Sequence, residues 1–138
     1  MTGGGGGVLP FPLLFYGGDT MTADQLFDRV LALMFSDETE KSDLLTQFLA
    51  TLNIHLLELL PKENAFRDTK LEAAPIITSL TQTVDYSDRI LAFLPYGIAG
   101  TMFEDDQNIA AQYKNKYEEE RAACVAARFE SVVDVYAV

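Results

Sequence analysis

Tryptophan is absent from this chain, cysteine and histidine occur once each, and basic residues number 10 against 21 acidic ones. A single cysteine, Cys124, excludes an internal disulfide and a cysteine-rich zinc site, and it suits a reducing compartment. With His55 alone there is no pair of imidazoles for zinc, and no Glu-x-x-His element stands ready for a carboxylate-bridged di-metal centre. The formal charge of −11 argues against wrapping nucleic acid, because phosphate binding needs clustered Lys and Arg that release counterions. The longest charge-free runs carry Gly and Pro or fall short of the ~20 apolar residues that cross a bilayer, so no transmembrane span is expected. The first residues lack the basic flank and small-residue cleavage site of a secretory signal.

Motifs for chemistry are equally scarce. Gly3 to Gly7 is a low-complexity run without the Lys and Ser/Thr that complete a phosphate-binding loop. Glu104-Asp105-Asp106 lacks the spacing and glycine of a calcium loop, whereas carboxylates at a helix start favour the helix dipole. Cys124, set in the alanine-rich stretch Ala122 to Ala127, reads as a small hydrophobe on a helix. The expectation is a non-enzyme without catalytic residues, cofactor or metal, whose function lies in its surfaces.

What is present is one ordinary domain's worth of chain, 138 residues and 49% hydrophobic, long enough to bury roughly two thirds of its unfolded surface. The expected fold is all-α, a four-helix bundle-like domain over residues 21–130 between an extended arm, 1–20, and a strand-like tail, 131–138. In the arm, Pro10 and Pro12 lock φ and remove two amide donors, favouring an extended path to Gly17-Gly18. Its side chains Val8, Leu9, Phe11, Leu13, Leu14, Phe15 and Tyr16 form an apolar patch that must lie on this domain's own core or on another chain. In the tail, Val133 and Val135 alternate with Val132, Asp134 and Tyr136, a pattern suited either to adding a strand to another subunit's sheet or to folding along its own helices.

Between these ends, Thr22 with Gln25 makes a capping box for a first helix to about Phe35, carrying Ala23, Leu26, Phe27, Val30, Leu31 and Met34 at helical spacing. A second helix is expected from about Lys41 until Pro61 stops it, with Leu45, Phe48, Leu49, Leu52, Leu56, Leu59 and Leu60 as its stripe, and the two should form a hairpin. Asn53 lies within that stripe and is expected to hydrogen-bond across to a backbone or polar group, since an unsatisfied amide costs on the order of 1–3 kcal/mol. His55 is read as structural or exposed. Residues 61–84 read as a loop broken by Pro75, with a turn near Ile76 to Leu80. Asp85 or Ser87 caps a third helix through about Phe103, kinked at Pro95 and offering a small-residue face at Gly97 and Gly100. Asp105 or Asp106 starts a fourth, with Ala110, Tyr113, Tyr117, Cys124 and Arg128 on one side and Glu118-Glu119-Glu120 solvated.

Asp85-Tyr86, then Leu94-Pro95-Tyr96-Gly97-Ile98-Ala99, the Glu104-Asp105-Asp106 turn, and Tyr113 and Tyr117-Glu118 on the next helix together resemble the helix pair of small virion proteins of tailed bacteriophages, the head-to-tail adaptors or connectors. The ending Val132-Val133-Asp134-Val135-Tyr136 resembles their tails as well. The resemblance covers residues 85–138 best and 22–60 more loosely; the glycine run and the Val8 to Tyr16 arm depart from the pattern. It implies a ring of about a dozen copies at the virion neck, docked beneath the portal protein and touching other neck or tail proteins, with DNA passing through without specific binding. The contact residues that the chain supplies for this are Leu9, Phe11, Leu13, Phe15 and Tyr16 in the arm and Val133, Val135 and Tyr136 in the tail. The other reading is a helical protein–protein interaction module that binds a peptide or regulator in the groove beside Gly97 and Gly100.

Overall fold

The structure is a computed structural model that describes residues 21–125. Within them the chain is all-α: α1 (Ala23–Leu33), a 3₁₀ turn (Glu38–Glu40), α2 (Lys41–Phe66), α3 (Asp88–Met102) and α4 (Gln107–Ala123). The one β-type pairing among these residues is an isolated antiparallel bridge between Thr22 and Thr83.

The start of α1 follows from two side chains. Thr22 Oγ1 accepts from Gln25 N at 3.2 Å and Gln25 Oε1 accepts from Thr22 N at 3.0 Å, closing the expected capping box. Ala23, Leu26, Phe27, Val30 and Leu31 then fall on one buried face. At the far end Ser36 N donates to Leu31 O and Phe35 N to Ala32 O, the paired bonds of a Schellman ending. The left-handed position there is filled by Phe35, at φ 60°, where glycine is the unstrained choice. Its ring is 73% exposed and leans edge-on against Phe103.

Lys41 opens α2 and its ammonium bridges Asp24 and Asp28 of α1. Burial pulls that ammonium's pKa down, but the hydrogen bonds it donates to both carboxylates, with their charge, outweigh it, so Lys41 stays charged more firmly than a free lysine. Phe27 and Phe48 stack with centroids 4.2 Å apart. Between α1 and α2 the contact is made by these long side chains, whereas both helices lie closely along α3. The expected hairpin is therefore two helices joined chiefly through a third.

α2 does not stop at Pro61 but runs on to Phe66. A proline lacks the amide that would bond the carbonyl four residues back. Pro61 stands on the exposed side of the helix, and beyond it Glu63 and Asn64 are both fastened to the rest of the fold, so one missing bond does not end the helix. The following connection is strapped lengthwise to α2. Asn53 donates Nδ2 to Ile77 O at 2.9 Å and accepts from Ile77 N at 2.8 Å, as its place in the stripe required. Asn64 repeats the device on Leu71, with 3.0 and 2.9 Å. The two asparagines stand about three helical turns apart on one edge of α2, which sets the strap parallel to the helix.

α3 is the central helix, packed on α1, α2 and α4, and buries ten of its fifteen residues. Ser87 occupies its N-cap position without making a side-chain cap. Instead Ser87 N and Oγ both donate to Glu63 Oε1, at 2.8 and 2.9 Å, so α2 supplies a carboxylate to the start of α3. Of the two expected caps, Ser87 holds the N-cap position, though without a side-chain cap bond, and Asp85 does not: it accepts from Arg67 at 3.0 Å. Helix α4 begins with Asp106, whose carboxylate accepts from Asn108 N and Ile109 N. It ends at Ala123, so Cys124 is its extended C-cap residue and not a helical one. Lys62 Nζ donates to Cys124 O at 2.7 Å and Arg89 to Val125 O at 3.3 Å, placing cations at the negative end of the helix. Arg128, the expected next position on that face, lies outside the described residues.

The small-residue face of α3 works as anticipated. A methyl at Gly97 would stand 2.7 Å from Tyr117 Cδ1 and 2.9 Å from His55 Nε2, and one at Gly100 would stand 2.8 Å from Lys114 Cγ. His55 is structural: Nδ1 pairs with Thr51 O at 2.9 Å and its ring meets Tyr117 edge-on.

Two buried phenols give the fold an alkaline limit. Burial, with Glu63 adding to it, raises the Tyr86 pKa to about 12, and its hydroxyl donates to Leu56 O. Burial raises Tyr117 as well, reinforced by its hydrogen bond to Glu58. The unfolded chain releases a tyrosine proton near pH 10 while the folded chain still holds it, so the unfolded state binds fewer protons and stability falls as pH rises from ~10 to ~12. For Tyr86 the loss is on the order of 2 kcal/mol. Urea midpoints at pH 9 and 11 should differ by more in the parent protein than in Tyr86→Phe; equal differences would refute this.

Candidate interaction surface

Helix α2 carries two apolar stripes. The inner one, Phe48, Leu52, Leu56 and Leu59 with Thr51, His55 and Glu63, is buried against the other helices. The outer one is Ala50, Ile54, Leu57 and Pro61, at i, i+4, i+7 and i+11, and all four are exposed. At 100° per residue these four share a face roughly half a turn from the inner stripe. Ile54 and Leu57 are each 66% exposed.

The strap extends this surface. Its clamp on Asn53 buries Ile77 at 2% exposure and leaves Ile76, one residue earlier, turned outward at 72%. Successive side chains of an extended segment point to opposite sides, so burying Ile77 is what exposes Ile76. The strap edge with Asn53 adjoins Leu57 on the helical wheel, so Ile76 belongs to the segment clamped along that edge. Singly exposed apolar residues are ordinary on a protein surface, but four in one line along a helix are not.

The remaining surface offers less. A shallow cleft of about 360 Å³ runs between Tyr96 and Tyr113, with Lys116 over the Tyr96 ring, and an open depression of about 210 Å³ lies near Met34, Glu40 and Phe103. Among the described residues no group of three or more His, Cys, Asp or Glu is gathered to hold a metal ion. Burial pushes the Cys124 thiol pKa up, away from the reactive thiolate. The face beside Gly97 and Gly100 is filled by Tyr117 and Lys114 of α4, so no groove stands open there for a peptide.

The arm residues Leu9, Phe11, Leu13, Phe15 and Tyr16 and the tail residues Val133, Val135 and Tyr136, singled out from the sequence, lie outside the described residues. The α2 stripe escaped the sequence reading, although the signal was present: a second apolar repeat at Ala50, Ile54, Leu57 and Pro61, offset from the leucine stripe. The segment Glu38–Phe66 is, by length and composition, apolar enough to cross a membrane. Comparison with protein-family models, with curated proteins and with solved structures finds no match to this chain.

Proposed function

We propose that this chain is a structural assembly subunit without enzymatic activity, a head-to-tail adaptor of a tailed bacteriophage. In this reading a four-helix, bundle-like domain forms the wall of a ring of about a dozen copies at the virion neck, between portal and tail. The arm and the strand-like tail reach neighbouring proteins.

The observation that carries the reading is the outer stripe of α2. A helix whose inner face already supplies the core, yet which keeps a second continuous apolar line in water, is built to be covered by protein. Serving two packed faces at once also accounts for its membrane-like composition. The net charge of −11 supports the choice of a DNA conduit, because an acidic wall repels phosphate and lets a duplex slide.

The test is assembly. Mixed with the portal protein of the same virion and viewed by negative-stain electron microscopy, the purified chain should add a ring to the portal's tail-facing end. A chain that stays monomeric and leaves portal particles unchanged would remove the reading.

A further inference from the structure

We infer that the connection between α2 and α3 is a hinged flap, latched to α2 by Asn53 and Asn64, which lifts as one unit while the helices stay packed. Its attachments are few. Asn64 bonds both backbone groups of Leu71 and Asn53 both of Ile77, and among the described residues the backbone of 68–79 makes no other hydrogen bond to a helix. Gln82 takes up Thr78 N, Ser79 N and Ile76 O, but those bonds lie within the connection itself. Of residues 68–79 only Ile77 is fully buried. A segment with so few buried apolar contacts and core bonds belongs to the low end of a protein's local stabilities.

Both ends of the flap are fastened independently of the latches. Arg67, the extended C-cap residue of α2, pairs with Glu63 and Asp85. At the other end Leu80 O and Gln82 O accept from Asp24 N and Ala23 N at the start of α1, and Val84 N donates to Met21 O. Arg67 and Leu80 are therefore the hinges, and opening between them breaks no bond within a helix. Between the latches Pro75 fixes its own φ and restricts Ala74 to extended backbone, so the span from Leu71 to Ile77 is stiff and couples one latch to the other.

Lifting the flap changes what α2 shows to water. Leu49, Asn53, Leu60 and Asn64 recur at i, i+4, i+11 and i+15, one edge of the helix directly beside the row of Ala50, Ile54, Leu57 and Pro61. With the flap closed, Leu49 and Leu60 are half-buried and the exposed apolar line is one row wide. With it open, a second apolar row stands beside the first, and Ile77 leaves with the flap. Asparagine suits a latch of this kind. Each amide offers a donor and an acceptor that water satisfies once the backbone has gone, so opening strands no polar group on α2.

Amide hydrogen exchange on the full chain, followed by NMR, tests this. In the parent, the Leu71 and Ile77 amides, each bonded to an asparagine, should show protection equal within about threefold and at least about 100-fold below that of Ile98, which is wholly buried in α3. Asn53→Ala removes one latch. It should speed exchange at Leu71, which the other latch holds, at least about tenfold, and Asn64→Ala should do the same at Ile77, with Ile98 still the slowest of the three. Binding of the dye ANS should rise with the opening in both variants. Leu71 and Ile77 as protected as Ile98 would mean that the connection leaves only when the whole domain unfolds, which overturns the inference. So would a variant in which the remaining latch keeps its parent protection, because two clamps that open separately are not one flap. If a variant is too unstable to measure, the parent comparison decides alone.

Discussion

Glu63→Ala is expected to destabilise the protein by about 3–5 kcal/mol and to lower Tm by roughly 10–20 °C. The side chain is 2% exposed and accepts from three donors: Ser87 N, Ser87 Oγ and Arg67 Nε, the last at 3.1 Å. Removing it leaves the Ser87 amide without the partner that replaces a helix cap, and leaves the Arg67 guanidinium, 19% exposed, held at Asp85 alone through that residue's carboxylate and backbone carbonyl. An unpaired buried donor costs about 1–3 kcal/mol and an uncompensated part-buried charge adds to it. The effect should concentrate where α2 meets α3. Glu63→Gln keeps an acceptor for Ser87 but sets an amide against Arg67, so it should fall between parent and alanine. Urea denaturation of the three proteins measures this, and a loss below about 1 kcal/mol for the alanine variant would mean that water replaces the carboxylate at no cost.

The second large effect reverses a usual sign. In a helix interior Gly→Ala normally gains about 1 kcal/mol. Gly97→Ala should instead lose about 2 kcal/mol, because the new methyl would stand 2.7 and 2.9 Å from two carbons of the Tyr117 ring and 2.9 Å from His55 Nε2. Neither neighbour can retreat easily. Tyr117 is 4% exposed and its hydroxyl is held by Glu58 at 2.7 Å, while His55 is tied to Thr51. Shortening the obstacle should expose the clash: in a Tyr117→Ala background, itself costly, Gly97→Ala should regain most of its helix-propensity gain. The double-mutant cycle should therefore show a coupling of roughly 1–3 kcal/mol. Additive losses would show that the contact between α3 and α4 at this point is looser than the geometry describes.

These two residues also mark how differently parts of the fold could be read in advance. Gly97 was legible, because two glycines three residues apart in an apolar helix announce a close approach. The Thr22–Gln25 capping box and the Asn53 clamp were legible for the same kind of reason: each is a local chemical requirement, a donor to satisfy or an amide that cannot stay unpaired. Glu63 was not. Its Ser87 partner is 24 residues away at the start of the next helix, and although Arg67 stands four residues on, nothing in the spacing of Pro61-Lys62-Glu63 says that the carboxylate will turn inward. Asn64 was missed because the helix was expected to have stopped at Pro61, a rule that holds where the lost hydrogen bond is buried and fails on an exposed face with anchors beyond it. The end of α4 was misplaced for the opposite reason. Its alanines favour continuing, but Lys62 and Arg89 of other helices hold the carbonyls of Cys124 and Val125.

The same division runs through the candidate surface. By itself the sequence determined where the helices of this protein begin, that an acidic chain with one histidine and one cysteine lacks the usual equipment for metal or thiol chemistry, and that its apolar arm needs burial. Only the tertiary structure decided which side of α2 is covered. That helix carries apolar residues on two faces, so periodicity names two stripes without ranking them; the packing of α3 on one and the asparagine-held strap along the edge leave Ala50, Ile54, Leu57 and Pro61 as the face in water. Which face meets the core is a property of the neighbouring helices, and no local pattern within α2 encodes it.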